Sequence, residues 1–503
     1  SVLEERYGCE EMRSIFRANS YLRRLLEVEA TLAEVQSELN IIPKEHGKLI
    51  RNGIETVKRK RVEEIESEIK HDVMAVVKAL AEQVGEAGKS IHFGATSYDI
   101  VDTARGLQHK EALAIIEKNI EELIDVLKTL AMKYSKTVML GRTHGQWATP
   151  VTFGLKMIVF ATETDRHLKR LKELKPRIVV GKFLGAVGTG AAMSPHTLEV
   201  QKKVMEKLEL QEPLATTQIL GRDRIAELIN WGSNLATSLE KFTIEVRNLQ
   251  RSDIGEASEA FDTEKQVGSS TMAQKKNPVT SENIAGLARM IRSLSGPALE
   301  NNLQWHERDL ANSSSERMIL PQFYVMLEDA ISKTKNVFEN IYVNEKRIKK
   351  NLEETGGLSL GEAVMIALSK KGIGRQTAHE LVRKITMQAE KDEERFDDYI
   401  ALWAPDGHYR ITTWSPDLRR DLVFLNLGLR DFQNLLEGVN NHQRMLGQFS
   451  RHVTGQLIDV NGKEQINVPF SAALSGPCPG GAPRCWAAKG CKNDDVTLFR
   501  RNI

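Results

Sequence analysis

The segment VGSSTMAQKKNP, residues 267–278, brings together two adjacent serines, two lysines and an asparagine between a glycine and a proline. A serine is a poor base until nearby positive charge and amide donors stabilise its alkoxide. Ser269 and Ser270 offer the hydroxyls, Lys275 and Lys276 the charge, and Asn277 the amide. Gly268 permits backbone angles other residues avoid, and Pro278 marks where a helix can begin. A mobile lid of this composition could bring base and charge stabiliser together over a substrate. A polar surface loop ahead of a helix would have the same composition.

Four further segments carry reactive groups. HFGATSYDIVDTA (92–104) sets hydroxyls and aspartates before an expected helix, whose free amides would attract anions. LGRTHGQ (140–146) places Thr143 and His144 between two glycines, close to backbone, where a histidine suits acid–base work. KHDV (70–73) sets His71 and Asp72 within an otherwise apolar helical stretch. QWHERDLANSSSER (304–317) holds Arg308, Ser313 and Arg317, the last two four apart on one helix face, a set suited to a carboxylate or phosphate. A structural histidine or a solvated charged helix would account for each segment taken singly. No HExxH and no close Cys/His cluster occurs, so no metal site is expected.

Long helices must position these groups. Leu113, Ile116, Ile120, Leu123, Leu127 and Leu130 alternate spacings of three and four, which draws one apolar stripe along a helix. Ile225, Leu228, Leu235, Leu239, Phe242, Val246 and Leu249 do the same, with Gly232 in the one gap. At about 1.5 Å per residue, that helix runs on the order of 40 Å. Continuous apolar seams of this length need partners, so a helical bundle is expected, one that subunits could share. Proline is absent from 44–149, 214–277 and 322–404, where the helical period is strongest. Residues 176–193 read as a glycine-rich connector with at most a short hairpin.

Bulk properties narrow the function classes. The 503 residues are 41% apolar and 27% charged with a net charge of +2, which leaves no broad footprint for nucleic acid or a membrane surface. No run of 18 apolar residues and no apolar leader core is present, so no membrane span is expected. Four cysteines in 503 residues make no disulfide framework and fit a cytoplasmic location. Six of the 14 prolines lie beyond position 402, and helical period fades after about 435.

Taken together, the segments resemble the fumarase/aspartase superfamily, whose lid signature is Gly-Ser-Ser-x-Met-Pro-x-Lys-x-Asn-Pro. Gly268, Ser269, Ser270, Met272, Lys275, Asn277 and Pro278 meet it, and Ala273 stands where proline is usual. Within the superfamily the chain is similar to the adenylosuccinate lyase family. ERYG (5–8), KHDV, TSYDIVDTA, GRTHGQ, GKFLGAVGT (181–189), TTQILGRDR (216–224) and WHERDLANSSSER have counterparts there in the same order, over about residues 4–400.

The resemblance implies an all-α, three-domain fold: residues 1–94, a central long-helix bundle 95–345, and residues 346–434. The composition beyond it sets 435–503 apart as an atypical, poorly ordered tail with little core of its own, unlike the family's usual short end. It implies a homotetramer whose active sites draw on several subunits, a small anionic substrate, and no cofactor. In the implied roles Ser269 is the general base, His144 the general acid, and Glu282 orients His144. Lys275 and Asn277 stabilise a developing dianion, and Thr96, Ser97 and Thr143 hold succinyl carboxylates. Gln218, Arg308, Ser313 and Arg317 bind substrate. Arg6 and Tyr7 reach a phosphate, with the catalytic His71 and with Asp72 close by. The implied reaction is a β-elimination releasing fumarate. Gln274, Lys275 and Lys276 also resemble the argininosuccinate lyase lid, and the carboxymuconate cycloisomerases share the signature. A non-catalytic relative that kept the bundle is the alternative of another class.

Overall fold

The computed structural model describes residues 2–261, 270–272, 274–370 and 372–396, with short backbone stretches at 408–409, 427–428, 457–458 and 464–465. By contacts the chain divides into Ser1–His442 and Gln443–Ile503. In the second unit the described residues are one antiparallel pair, Leu457–Ile458 with Glu464–Gln465. The expectation for the tail otherwise lies outside the described residues, as does Ser269.

After two short helical segments, Val2–Glu5 and Glu10–Ile15, the first unit continues with helices α1 (Ala18–Glu38), α2 (Lys44–Gly53), α3 (Arg59–Ile69) and α4 (Asp72–Val84). Helix α5 (Ser97–Lys133) follows, then the hairpin β1 (Val138–Thr143) and β2 (Gln146–Thr152), then α6 (Phe153–Ile178) and α7 (Asp223–Leu249). A short strand β3 (Ala257–Ser258) precedes α8 (Val279–Ser293) and α9 (Ala311–Glu339). Strand β4 (Tyr342–Val343) pairs with β3 and leads into α10 (Glu345–Glu353), α11 (Gly361–Lys370) and α12 (Arg375–Lys391). Helices α11 and α12 close a small core of their own around Leu368, Leu381 and Ile385. No described helix is long and apolar enough to cross a membrane.

Helices α5 to α9 form the expected bundle. The seam of α5 from Leu113 to Leu130 and that of α7 from Ile225 to Leu249 are buried throughout. The gap at Gly232 has a steric cause: a Cβ there would lie 2.4 Å from the ring of Phe323 on α9. Helix α9 runs straight through Pro321, so proline-free windows did not mark its limits. A buried face holding Phe323, Tyr324 and Leu327 offsets the lost hydrogen bond. The connector after α6 contains no hairpin among its described residues; Val180 bridges to Gln211 in parallel, and the chain then wraps the start of α5.

Direction along the bundle follows from cross-helix contacts. Helices α5 and α9 run parallel: Tyr98 meets Ser313 at 3.5 Å, His109 meets Tyr324 at 2.7 Å, and Asn119 meets Glu328 at 3.0 Å. Helix α6 runs against both α5 and α7, since Lys175 pairs with Glu117 while Lys156 pairs with Glu245. Helix α8 runs against α9, its early Asn283 bonding Lys333 at 2.7 Å. One end of the bundle therefore holds the starts of α5, α7 and α9. The other holds the hairpin, the end of α7 and the start of α8.

Candidate active site

At the first end, Thr96 caps α5 and Ser97 opens it, both half-buried. Tyr98 lies buried behind them and forms a floor for Arg308, whose guanidinium carbon sits 3.7 Å from the ring centroid. Arg308 donates to Gln218 Oε1 at 2.8 Å, and Gln218 donates in turn to the carbonyl of Ala186 at 2.9 Å. Ser313 completes this group through Tyr98. Arg317, one turn further along α9, pairs with Asp72 at 2.9 Å, so two expected substrate contacts meet each other. His71 is not inside a helix, because Lys70 adopts left-handed angles that end α3. His71 caps the next helix instead, its Nδ1 accepting from the Met74 amide at 3.3 Å and lying 3.7 Å from Asp72 Oδ1.

Beneath these groups lies a buried ionic platform. Asp102 accepts from Arg222 at 2.9 and 3.0 Å, and Arg222 also donates to Glu316 at 2.7 Å. Arg105 pairs with Glu316 at 3.0 Å, and Lys182 pairs with Asp99. Three cations face three carboxylates, so the platform carries no net charge. Burial alone would raise the Asp102 carboxyl, but the Arg222 charge outweighs it and holds the group below the usual carboxylate range. Burial, reinforced by Arg105, pushes His109 down to about 3, so its ring is neutral against Tyr324. The aspartates of TSYDIVDTA thus lie inside α5 and serve the platform; Asp99 already occupies the Thr96 amide at 2.9 Å. Residues of this platform went unassigned in the sequence, although Asp99 and Asp102 stand one turn apart and Arg222 lies in TTQILGRDR.

His144 and Gly145 form the two-residue turn of the β1–β2 hairpin, with Thr143 paired to Gln146. Both turn residues have positive φ, 55° and 77°, the pattern of a type I′ turn. Thr143 and His144 are therefore exposed at its tip. Two residues earlier, Arg142 grips Glu256 through a pair of 2.8 Å bonds, and Asn351 on α10 donates to the same carboxylate. Three residues on, Glu259 accepts from the amides of Thr280 and Ser281, at 3.1 and 2.5 Å, and so anchors the start of α8. The short stretch 256–259 thereby holds both the hairpin and the helix that follows the lid.

Glu282 lies exposed in the first turn of α8, just beyond the exposed Lys275 and the half-buried Asn277. Among the described residues neither Glu282 nor His144 has a side-chain partner in this chain. Lys333, bonded to Asn283, sits 4.9 Å over the ring of Tyr7, which places Arg6 and Tyr7 beside this end. Within one chain, then, Arg6 and Tyr7 are not close to His71 and Asp72. The twenty residues of α9 between Ser313 and Lys333 span about 30 Å. Thr96 and the hairpin root are separated by the length of α5, on the order of 50 Å. Within one chain the expected site residues thus fall into two groups, one at each end of the bundle.

Comparison with known proteins agrees with this architecture. A family model described as "Lyase" matches residues 6–293, and one described as "Adenylosuccinate lyase C-terminus" matches residues 357–409. Adenylosuccinate lyase from Pyrococcus abyssi is 49% identical over 78% of this chain and 87% of its own length. Its counterpart from Methanocaldococcus jannaschii is 46% identical over 79% and 87%. Among solved structures, a fumarate lyase from Mesorhizobium sp. BNC1 superposes with a TM-score of 0.75 at 29% identity, covering 88% of this chain and 98% of that one. A 3-carboxy-cis,cis-muconate lactonizing enzyme from Pseudomonas putida gives 0.72 at 27%, covering 88% and 99%. With its lid signature, its helical bundle and these relatives, the chain belongs to the adenylosuccinate lyase family of fumarate-releasing lyases.

Proposed function

We propose that the protein cleaves adenylosuccinate to AMP and fumarate, and the related succinylaminoimidazole carboxamide ribotide in the same way, both steps of purine biosynthesis. Ser269 would remove a proton from the carbon beside one succinyl carboxylate. Lys275 and Asn277 would stabilise the dianion that results, more strongly than they stabilise the ground state. The C–N bond then breaks as the carbon–carbon double bond of fumarate forms, and His144 delivers a proton to the departing nitrogen. Glu282 would hold the His144 ring. Thr96, Ser97 and Thr143 would take the carboxylates, and Gln218, Arg308, Ser313 and Arg317 the rest of the substrate, with His71 and Asp72 beside Arg317. Arg6 and Tyr7 would receive the phosphate. None of these steps calls for a metal or organic cofactor.

The observation that carries this reading is the pair of incomplete half-sites at opposite ends of one bundle. An assembly in which the first end of one subunit meets the second end of another would unite His144 and Glu282 with Gln218 and Arg308. Exposed Val159, Ile244 and Met290 on α6, α7 and α8 supply apolar surface for that association, for which a homotetramer is the expected form. We place domain boundaries near 94, 345 and 434, and the location in the cytoplasm. Incubation of the purified protein with adenylosuccinate, followed by absorbance, tests the activity. Ser269→Ala should abolish turnover while leaving substrate binding intact; normal turnover by that variant would remove Ser269 from the mechanism.

A further inference from the structure

Lys182 lies in the motif GKFLGAVGT, and the mechanism above gives it no part. Its side chain is fully buried and reaches no solvent. The ammonium group donates to Asp99 Oδ1 and, at 2.8 Å, to the main-chain carbonyl of Gln218. Asp99 in turn accepts from the amides of Thr96 at 2.9 Å, Leu184 at 3.2 Å and Gly185 at 3.2 Å. The backbone of Lys182 is itself fixed to α5, since its amide donates to Thr103 Oγ1 at 3.0 Å. One buried cation therefore joins two pieces of chain distant in sequence: the capped start of α5, carrying Thr96 and Ser97, and the loop carrying Gln218 and, through it, Arg308.

We propose that Lys182 is a positioning residue that sets the spacing between the carboxylate-binding start of α5 and the Gln218–Arg308 pair. This rests on the lyase reading, in which both groups hold the substrate. Leu220 and Arg222 also hold this loop to α5 through Asp102, but they act two or more residues beyond Gln218, so loss of the lysine lets Gln218 itself shift by a fraction of an ångström. Displacement on that scale at a binding group weakens substrate capture before it touches the reacting bonds. Because the groups hold substrate and transition state alike, the loss should fall on KM rather than on kcat.

Lys182→Met alone would leave the Asp99 carboxylate buried without its cation and could fail to fold. The double variant Lys182→Met/Asp99→Asn removes both charges and the tie to Gln218; its single amide oxygen can serve the Thr96 amide or those of Leu184 and Gly185, but not all three. For this variant we expect a cooperative melt at a temperature below wild type, a KM for adenylosuccinate raised about tenfold or more, and a kcat within about threefold. Lys182→Arg, which can still donate to both partners, should recover most of the KM. A folded double variant with the wild-type KM, or one that loses kcat at unchanged KM, would overturn the proposal. Failure of both variants to fold would overturn it as well, since the residue would then be structural alone. Wild-type protein assayed beside them separates the two readings: no wild-type turnover sinks the lyase assignment and this inference with it, while normal turnover with an unaffected variant sinks this inference alone.

Discussion

Arg222 holds two carboxylates in a region with almost no solvent, its own side chain 2% exposed. Removing it leaves Asp102 without its bidentate partner and Glu316 with Arg105 and the neutral Asn312 amide. Arg222→Met should therefore destabilise the fold by about 3–5 kcal/mol, read as a lower urea midpoint at unchanged slope. Two buried histidines should give opposite pH signatures. His109 is held near 3 in the fold against an ordinary value of 6.5, so the unfolded chain binds the extra proton between those values. Its stability is fully present above about 6.5 and is lost as the pH falls toward 3. His109→Gln should flatten the stability profile in that window. His92 runs the other way: burial lowers its pKa, but the Glu29 carboxylate 2.7 Å away outweighs burial and raises it. That contribution is full below the unfolded value and fades as the pH rises through the raised one. The melting-temperature gap between wild type and Glu29→Gln should accordingly be larger at acid pH than at alkaline pH. The sequence could name polar residues such as Asp99 and Asp102 but not their partners, because Lys182 and Arg222 lie more than 80 residues away along the chain.

At the level of elements, the long helices were legible because each seam is a local pattern that burial must satisfy. Gly232 belongs to that pattern as a residue too small to clash, and Gly232→Val should cost about 1–3 kcal/mol by driving into the Phe323 ring. The start of α4 at Asp72 was less legible, since a left-handed Lys70 is unusual for lysine and leaves no composition signal. The β1–β2 hairpin went unread for a different reason. Its tip is His-Gly rather than the favoured Asn-Gly or Asp-Gly, and Gly141 and Pro150 interrupt its strands. Glu256 fixes that hairpin from a distant part of the chain through Arg142 and Asn351. Glu256→Gln loses charge-assisted bonds to Arg142, and if the hairpin carries the general acid, kcat should drop on the order of tenfold while the bundle still melts cooperatively.

At the scale of the whole molecule, the two ends of one bundle divide the proposed machinery between them. Two inactive variants, one altered at each end, should then complement when their subunits are mixed. His144→Gln and Arg308→Met, dissociated together and reassembled, should regain on the order of a quarter of wild-type activity, the fraction of sites that draw both intact halves by chance. Absence of any recovery after verified subunit exchange would place both halves of each site in one chain. Motif order along the chain identified which residues belong together. It could not show that Arg308 stands at the end with Thr96 and Glu282 at the end with His144, because that depends on the directions in which α5, α8 and α9 cross the core.

The turn at His144 has a consequence for how this chain could drift. Its left-handed backbone suits asparagine better than histidine, and Asn-Gly is the preferred pair for such a bend. His144→Asn should thus give a slightly more thermostable protein that no longer turns over substrate. Robustness and turnover pull against each other at that one position, so a lineage released from the need for the reaction would find its cheapest improvement by discarding the proposed proton donor first.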